Sequence, residues 1–265
     1  MAPTRRRELT VRQVRLSVLD WPGHEPAVLL LHGLAGQATE WSETARWLNR
    51  HHRVVALDQR GHGDSQKGLK NFSSDAYVED AAAVVTLLGL APVVLVGQSM
   101  GGVVAFRLAA RRPKLVKALV VVEADPGASP HRDRSIERWL DSWPLPFKTR
   151  QHAAAFFGGD NLKGKTWAAT LRRKGSGYWP TFRREDMLAT ASDATDHWTE
   201  WKRISCPTLV VVGAQGLARR AAMRRMASTL ANARYVELPD AGHDLHLELP
   251  DEWRKTLLDF LDDPS

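Results

Sequence analysis

The chain has 265 residues, a formal net charge of +7, 43% hydrophobic and 25% charged residues. These are ordinary globular values, which exclude a fibrous or wholly disordered polymer and leave room for one domain with an insertion. The basic residues are scattered in small groups, as at Arg5 to Arg7, Arg111-Arg112, Arg183-Arg184 and Arg224-Arg225, which favours a solvated surface over a nucleic-acid-binding face.

A single Cys206 excludes an internal disulfide, in keeping with a reducing compartment. No apolar run follows the basic start Met1 to Arg7, and none elsewhere is long enough to cross a bilayer. A cytoplasmic protein without membrane attachment is therefore expected.

In chain order, Val14 to Leu19 alternates apolar and polar residues and predicts an antiparallel edge strand. Apolar runs follow at Ala27 to Leu31, Val54 to Leu57, Val93 to Val96, Ala118 to Val122 and Thr208 to Val212. Continuous runs this rich in β-branched residues suit strands buried on both faces of a parallel sheet. Helical patterns occupy Thr39 to Asn49, Ser74 to Leu88, Met100 to Arg111, Leu217 to Leu230 and Asp251 to Leu261, and Arg234 to Leu238 reads as the last strand. Strand alternating with helix predicts an α/β fold with a doubly wound, mostly parallel sheet.

The rhythm stops between Pro126 and Arg203, a stretch with no strong strand and six of the ten tryptophans. It reads as a helical cap, residues 126–203, inserted into a core formed by 1–125 and 204–265. Trp139, Trp143, Phe147, Phe157, Trp179 and Trp198 are the candidate substrate-binding residues. The alternative for these rings is that they pack on one another inside the insertion.

The motif that carries chemistry is Gly97-Gln98-Ser99-Met100-Gly101-Gly102, between a predicted strand and a predicted helix. It matches G-x-S-x-G, in which small neighbours allow a tight turn that lifts a strained serine above the sheet. With Leu31-His32-Gly33-Leu34-Ala35-Gly36, Asp58 to Ser65 and Ala241-Gly242-His243-Asp244, in that order around it, the chain resembles the α/β-hydrolase superfamily over nearly its whole length outside the insertion.

The resemblance implies Ser99 as nucleophile, His243 as general base and the backbone N–H groups of Leu34 and Met100 as an oxyanion hole. Histidine suits the base because it accepts and returns a proton near neutral pH. His246 is the competing choice, three residues on. His32, Arg60, His62 and Asp64 are expected to brace loops, and the spacing of the last three does not match the usual zinc patterns.

Much of the superfamily supplies the acid that orients the histidine from the turn after the strand here formed by Thr208 to Val212. That turn reads Gly213-Ala-Gln-Gly216-Leu-Ala-Arg-Arg and carries no carboxylate. A triad is a constellation in space, so a neighbouring strand end can supply the acid. The preceding strand runs into Glu123-Ala-Asp125; Glu123 is the first choice and Asp125 the second, as in superfamily members that carry their acid there.

The expected protein is a serine hydrolase of carboxylic esters or lactones with an apolar or aromatic body. No cofactor and no metal are expected, and the expected partner is a small-molecule substrate, with neither nucleic acid nor membrane, for a monomer or homodimer. The alternatives are a C–C bond hydrolase acting on a β-diketone-like substrate, and a ligand-binding protein that kept the fold and lost turnover.

Overall fold

The computed structural model describes residues 4–128 and 132–264. The first half of the core comprises β1 (Arg5–Val11), β2 (Val14–Trp21), β3 (Val28–Leu31), a 3-10 turn at Ala38–Trp41, α1 (Ser42–Leu48), β4 (Val54–Asp58), α2 (Ser74–Leu87), β5 (Val93–Gln98), α3 (Met100–Arg111) and β6 (Val116–Val122). The insertion then holds α4 (Arg132–Asp141), α5 (Arg150–Phe157), α6 (Leu162–Thr170), β7 (Arg172–Lys174), β8 (Gly177–Trp179), α7 (Arg184–Ala191) and α8 (Trp198–Trp201). The chain returns to the core with β9 (Thr208–Gly213), α9 (Arg220–Thr229), β10 (Ala233–Leu238), α10 (Leu245–Glu248) and α11 (Pro250–Asp262).

Eight strands form one sheet in the order β1-β2-β4-β3-β5-β6-β9-β10. Antiparallel pairing is confined to β1 with β2 and β2 with β4, and all other neighbours are parallel. Because side chains alternate across a strand, Leu29 and Leu31 pack into one apolar layer with α2, α3 and α9, while Val28 and Leu30 pack into the other with α1 and α11. Two covered faces make the sheet doubly wound, and its strand ends carry the loops that hold the candidate site.

Four local expectations need correction. The helix expected from Thr39 is a 3-10 turn followed by α1. The helix expected from Leu217 begins at Arg220, because the N–H groups of Leu217 and Ala218 are committed to the Glu123 carboxylate. In the insertion, Arg172–Lys174 and Gly177–Trp179 pair as a short hairpin around Gly175, whose φ of +60° suits a residue without a side chain. β1 had no counterpart in the expected elements and takes the sheet edge, so the strand at Val14–Trp21, expected there, lies between β1 and β4; the residues of β1 are mostly exposed, and Arg6 and Arg7 reach Asp58 and Asp20. No helix of the described residues is long and apolar enough to cross a membrane.

Candidate active site

Ser99 stands between β5 and α3 with φ +52° and ψ −118°, a backbone state that costs a non-glycine residue on the order of 1–3 kcal/mol. Its N–H donates to Val122 O at 2.8 Å, which ties the turn to the end of β6. A Cβ on Gly101 would lie 2.3 Å from Leu31 O and 2.6 Å from His32 O. Glycine at that position therefore lets the start of α3 sit directly against the end of β3, and the His32 to Leu34 loop comes to lie beside the serine.

That loop is held from below. His32 is fully buried; its Nε2 accepts from Gln59 N at 3.0 Å and its Nδ1 donates to Gly33 O at 2.7 Å. The first bond requires a bare Nε2, so the proton sits on Nδ1. Burial pushes the ring down to about 4, which keeps it neutral. Asp58 Oδ1 accepts from Ala38 N at 2.7 Å, and Ala35 takes φ +64°. Leu34 N–H and Met100 N–H thus belong to two fixed segments, one on each side of Ser99. Arg60 pairs with Asp80 at 2.7 Å and His62 Nδ1 bonds Arg60 O at 2.8 Å, so these two also brace a loop.

His243 follows β10, and its Nδ1 lies 3.1 Å from Glu123 Oε2. Gln98 Nε2 donates to His243 O at 2.9 Å, linking the histidine's backbone to the residue next to Ser99. Glu123 is only 2% exposed, and its φ is +52°. Its Oε1 accepts from Gly213 N at 2.7 Å, and Oε2 accepts from Leu217 N at 2.8 Å and Ala218 N at 3.1 Å. Three backbone donors and one imidazole satisfy a buried carboxylate that would otherwise be costly.

The turn that lacks an acid has instead folded around one. A Cβ on Gly216 would lie 2.2 to 2.3 Å from the Glu123 carboxyl carbon and both oxygens. A side chain at 216 and a carboxylate from 123 cannot share that space. Asp125, the second choice, is engaged elsewhere: it accepts from Gly127 N at 3.0 Å and pairs with Arg219. His246 does not face Glu123; it is buried, with its ring stacked on Trp41 at 4.3 Å.

The six candidate aromatics lie in three settings. Trp143, Phe147 and Phe157 are buried in the insertion's own cluster, with Trp139 packed against it. Trp198 packs on the main core under Arg225, 4.3 Å from its ring. Trp179 is 39% exposed on the hairpin. The insertion meets the loop that follows β3 through Leu34, Ala35, Trp139, Leu140, Trp167 and Met187. A cavity beside Met100 takes its rings from the core, with Phe72 and Tyr77 in its wall along with Val103, Asp125 and Thr190.

Sequence reading passed over Gln98, because the motif leaves its position free. It also passed over Trp167 and Lys163, which hold the His243 loop from the insertion side: Trp167 Nε1 donates to Asp244 Oδ2 at 3.0 Å, and Lys163 Nζ to Glu248 Oε1 at 2.7 Å. The available signal was the run Asp244 to Glu248, whose carboxylates called for partners.

The family model for the alpha/beta hydrolase fold matches residues 26–250. The chain is similar to sn-1-specific diacylglycerol lipase ABHD11 of Mus musculus, with 29% identity over 262 residues, 92% of this chain and 84% of that protein. Of solved structures, E-2-(acetamidomethylene)succinate hydrolase matches with a TM-score of 0.90 at 22% identity, over 98% of this chain and 100% of that one. The enol-lactonase from Burkholderia xenovorans LB400 matches with a TM-score of 0.80 at 25% identity, over 97% and 100%. Sheet order, the strained serine turn and a match spanning core and insertion agree, and the chain belongs to the alpha/beta hydrolase family.

Proposed function

We propose that the protein is a serine hydrolase of carboxylic esters or lactones, with Ser99, His243 and Glu123 as its triad and the insertion as its cap. The observation that carries this reading is the Glu123 carboxylate, bonded by three backbone N–H groups and held 3.1 Å from His243 Nδ1. An Nδ1–H donated to Glu123 leaves Nε2 bare for the serine proton. A lipase and an enol-lactonase among the similar proteins support an ester or lactone substrate.

In this mechanism Ser99 Oγ attacks the carbonyl carbon and its proton passes to His243 Nε2. The oxyanion takes the N–H groups of Leu34 and Met100, each worth about 3 kcal/mol in comparable sites. Collapse of the tetrahedral intermediate breaks the C–O bond, and His243 returns the proton to the leaving alcohol. Water, deprotonated by His243, then attacks the acyl-enzyme, and the acid leaves with Ser99 restored.

A fluorophosphonate should label Ser99, and the Ser99→Ala variant should not be labelled. On an activated ester, Glu123→Gln should lose at least about tenfold in kcat, and Asp125→Asn less than about threefold, since only the first changes the group that orients the base. A larger loss at Asp125 reverses the assignment of the acid. Absence of both labelling and ester turnover in the wild type removes the reading altogether.

A further inference from the structure

Glu40 lies in the 3-10 turn that follows the oxyanion loop, and none of the steps above uses it. Its side chain is buried, with the backbone N–H groups of Gln37 and Gly33 directed at its carboxyl. A Cβ on Gly36 would lie 2.2 Å from Glu40 Oε2, so the carboxyl fills the inside of the loop that bears Leu34. On its other side stands His246, 1% exposed, with Nε2 3.7 Å from Glu40 Oε1.

Among the described residues, both His246 nitrogens and the Nε1 of the stacked Trp41 are buried with no hydrogen-bond partner. A buried polar atom in that state is destabilising, so a rearrangement that pairs it is favoured. An approach of roughly 1 Å would bring the carboxyl and the imidazole to bonding distance.

We propose that Glu40 is a positioning residue: its carboxyl and the His246 imidazole close into one hydrogen bond that ties the loop bearing Leu34 N–H to the loop bearing His243. The bond sets the oxyanion donor against the base, and the proposal therefore rests on the serine-hydrolase reading of the site.

The charged or titratable groups that face Glu40 are Asp58 at the end of β4 and Asp244 and His246 after β10; those that act on His246 from the other side are His243, Glu248 and Lys163 of α6. Burial, reinforced by Asp244 and Asp58, holds the Glu40 carboxyl well above the usual carboxylate range. Burial pushes the His246 imidazole down to about 4. In its protonated form, which burial favours, the carboxyl's O–H donates to a bare nitrogen of the neutral imidazole. As pH rises through the carboxyl's folded pKa the bond must reverse its direction, and a buried negative charge appears facing Asp58 and Asp244. The tie is thus favoured on the acid side of that ionisation and weakened on the alkaline side.

Glutamine at position 40 supplies an N–H donor that cannot ionise, which separates the hydrogen bond from the proton. Wild type, Glu40→Gln, Glu40→Leu and His246→Phe are compared for kcat and KM against pH on an activated ester, with melting temperature and fluorophosphonate labelling of Ser99 recorded for each. Glu40→Gln should keep kcat within about threefold of wild type at pH 7 and lose the alkaline decline that wild type shows. Glu40→Leu and His246→Phe should lose at least about tenfold in kcat with KM within about twofold.

A Glu40→Gln profile that keeps the wild-type alkaline limb overturns the proposal, as does a folded Glu40→Leu with wild-type kcat. If the two apolar variants fail to fold, the Glu40→Gln profile alone decides. Failure of wild type to label or to turn over ester fails the serine-hydrolase reading itself. A wild type that labels, with variants that all keep its profile, fails this proposal only.

Discussion

Ser99, Ala35 and Glu123 have positive φ, at +52°, +64° and +52°, and they mark the proposed nucleophile turn, the proposed oxyanion loop and the candidate acid. Non-glycine residues persist at such angles only where surrounding contacts over-determine them. At Glu123 those contacts are the donors of the 213–218 turn, which depend on Gly216 having no side chain. Gly216→Ala would push a methyl group into the carboxylate. It should lower ester kcat by at least about tenfold and stability by about 2 kcal/mol, read by kinetics and thermal melts on the same preparation. The sequence made the empty acid position visible, and with it the candidates Glu123 and Asp125. It did not make visible that Arg219 engages Asp125, because that ion pair joins residues 94 apart in the chain.

Among the elements, those buried on both faces were the most legible. The runs at Val54, Val93, Ala118 and Thr208 became β4, β5, β6 and β9 to within two residues at either end, because continuous β-branched stretches have few other ways to be buried. β1 escaped notice because an exposed edge strand needs no apolar pattern and uses charge to blunt its free side. The 172–179 hairpin escaped because three-residue strands carry too little periodicity to read. The insertion is joined to the core by ion pairs as well as rings: Arg107 on α3, 4% exposed at its side chain, binds Glu200 on α8 at 2.6 Å and Asp75 on α2 at 2.5 Å. Arg107→Met should cost about 2 kcal/mol in a thermal or denaturant melt, since it takes one of two arginines from the largely buried Glu200, which keeps Arg111. Its ester kcat at a temperature where the variant is folded should stay within about twofold of wild type, because no group of the proposed triad contacts Arg107.

For the molecule as a whole, buried histidines set the response to acid. Burial pushes His32 and His246 down to about 4 and His62 down to about 3. Each has a folded pKa below its unfolded one, so the unfolded chain binds more protons as pH falls below about 6.5. The contribution of these histidines is at its full value above that pH and is lost as pH falls toward 4. Each group contributes roughly 3 to 5 kcal/mol to the loss, comparable in sum to the whole stability of a typical domain. A cooperative loss of circular dichroism between about pH 6 and pH 4 is the expected outcome. His62→Phe should move its midpoint to lower pH, and a midpoint that stays in place would assign the transition to other groups.

The Glu123 carboxylate and the missing side chain at 216 also constrain how such a site arises by single substitutions. With this backbone, a side chain at 216 and the Glu123 carboxylate would occupy the same volume, so a protein with this loop geometry cannot hold an acid at both positions. A lineage moving between the two arrangements must pass through a protein with a bare histidine, or rebuild the 213–218 turn first. The present turn, closed by bonds to Glu123, makes an acid at 216 the harder step: it meets an occupied space.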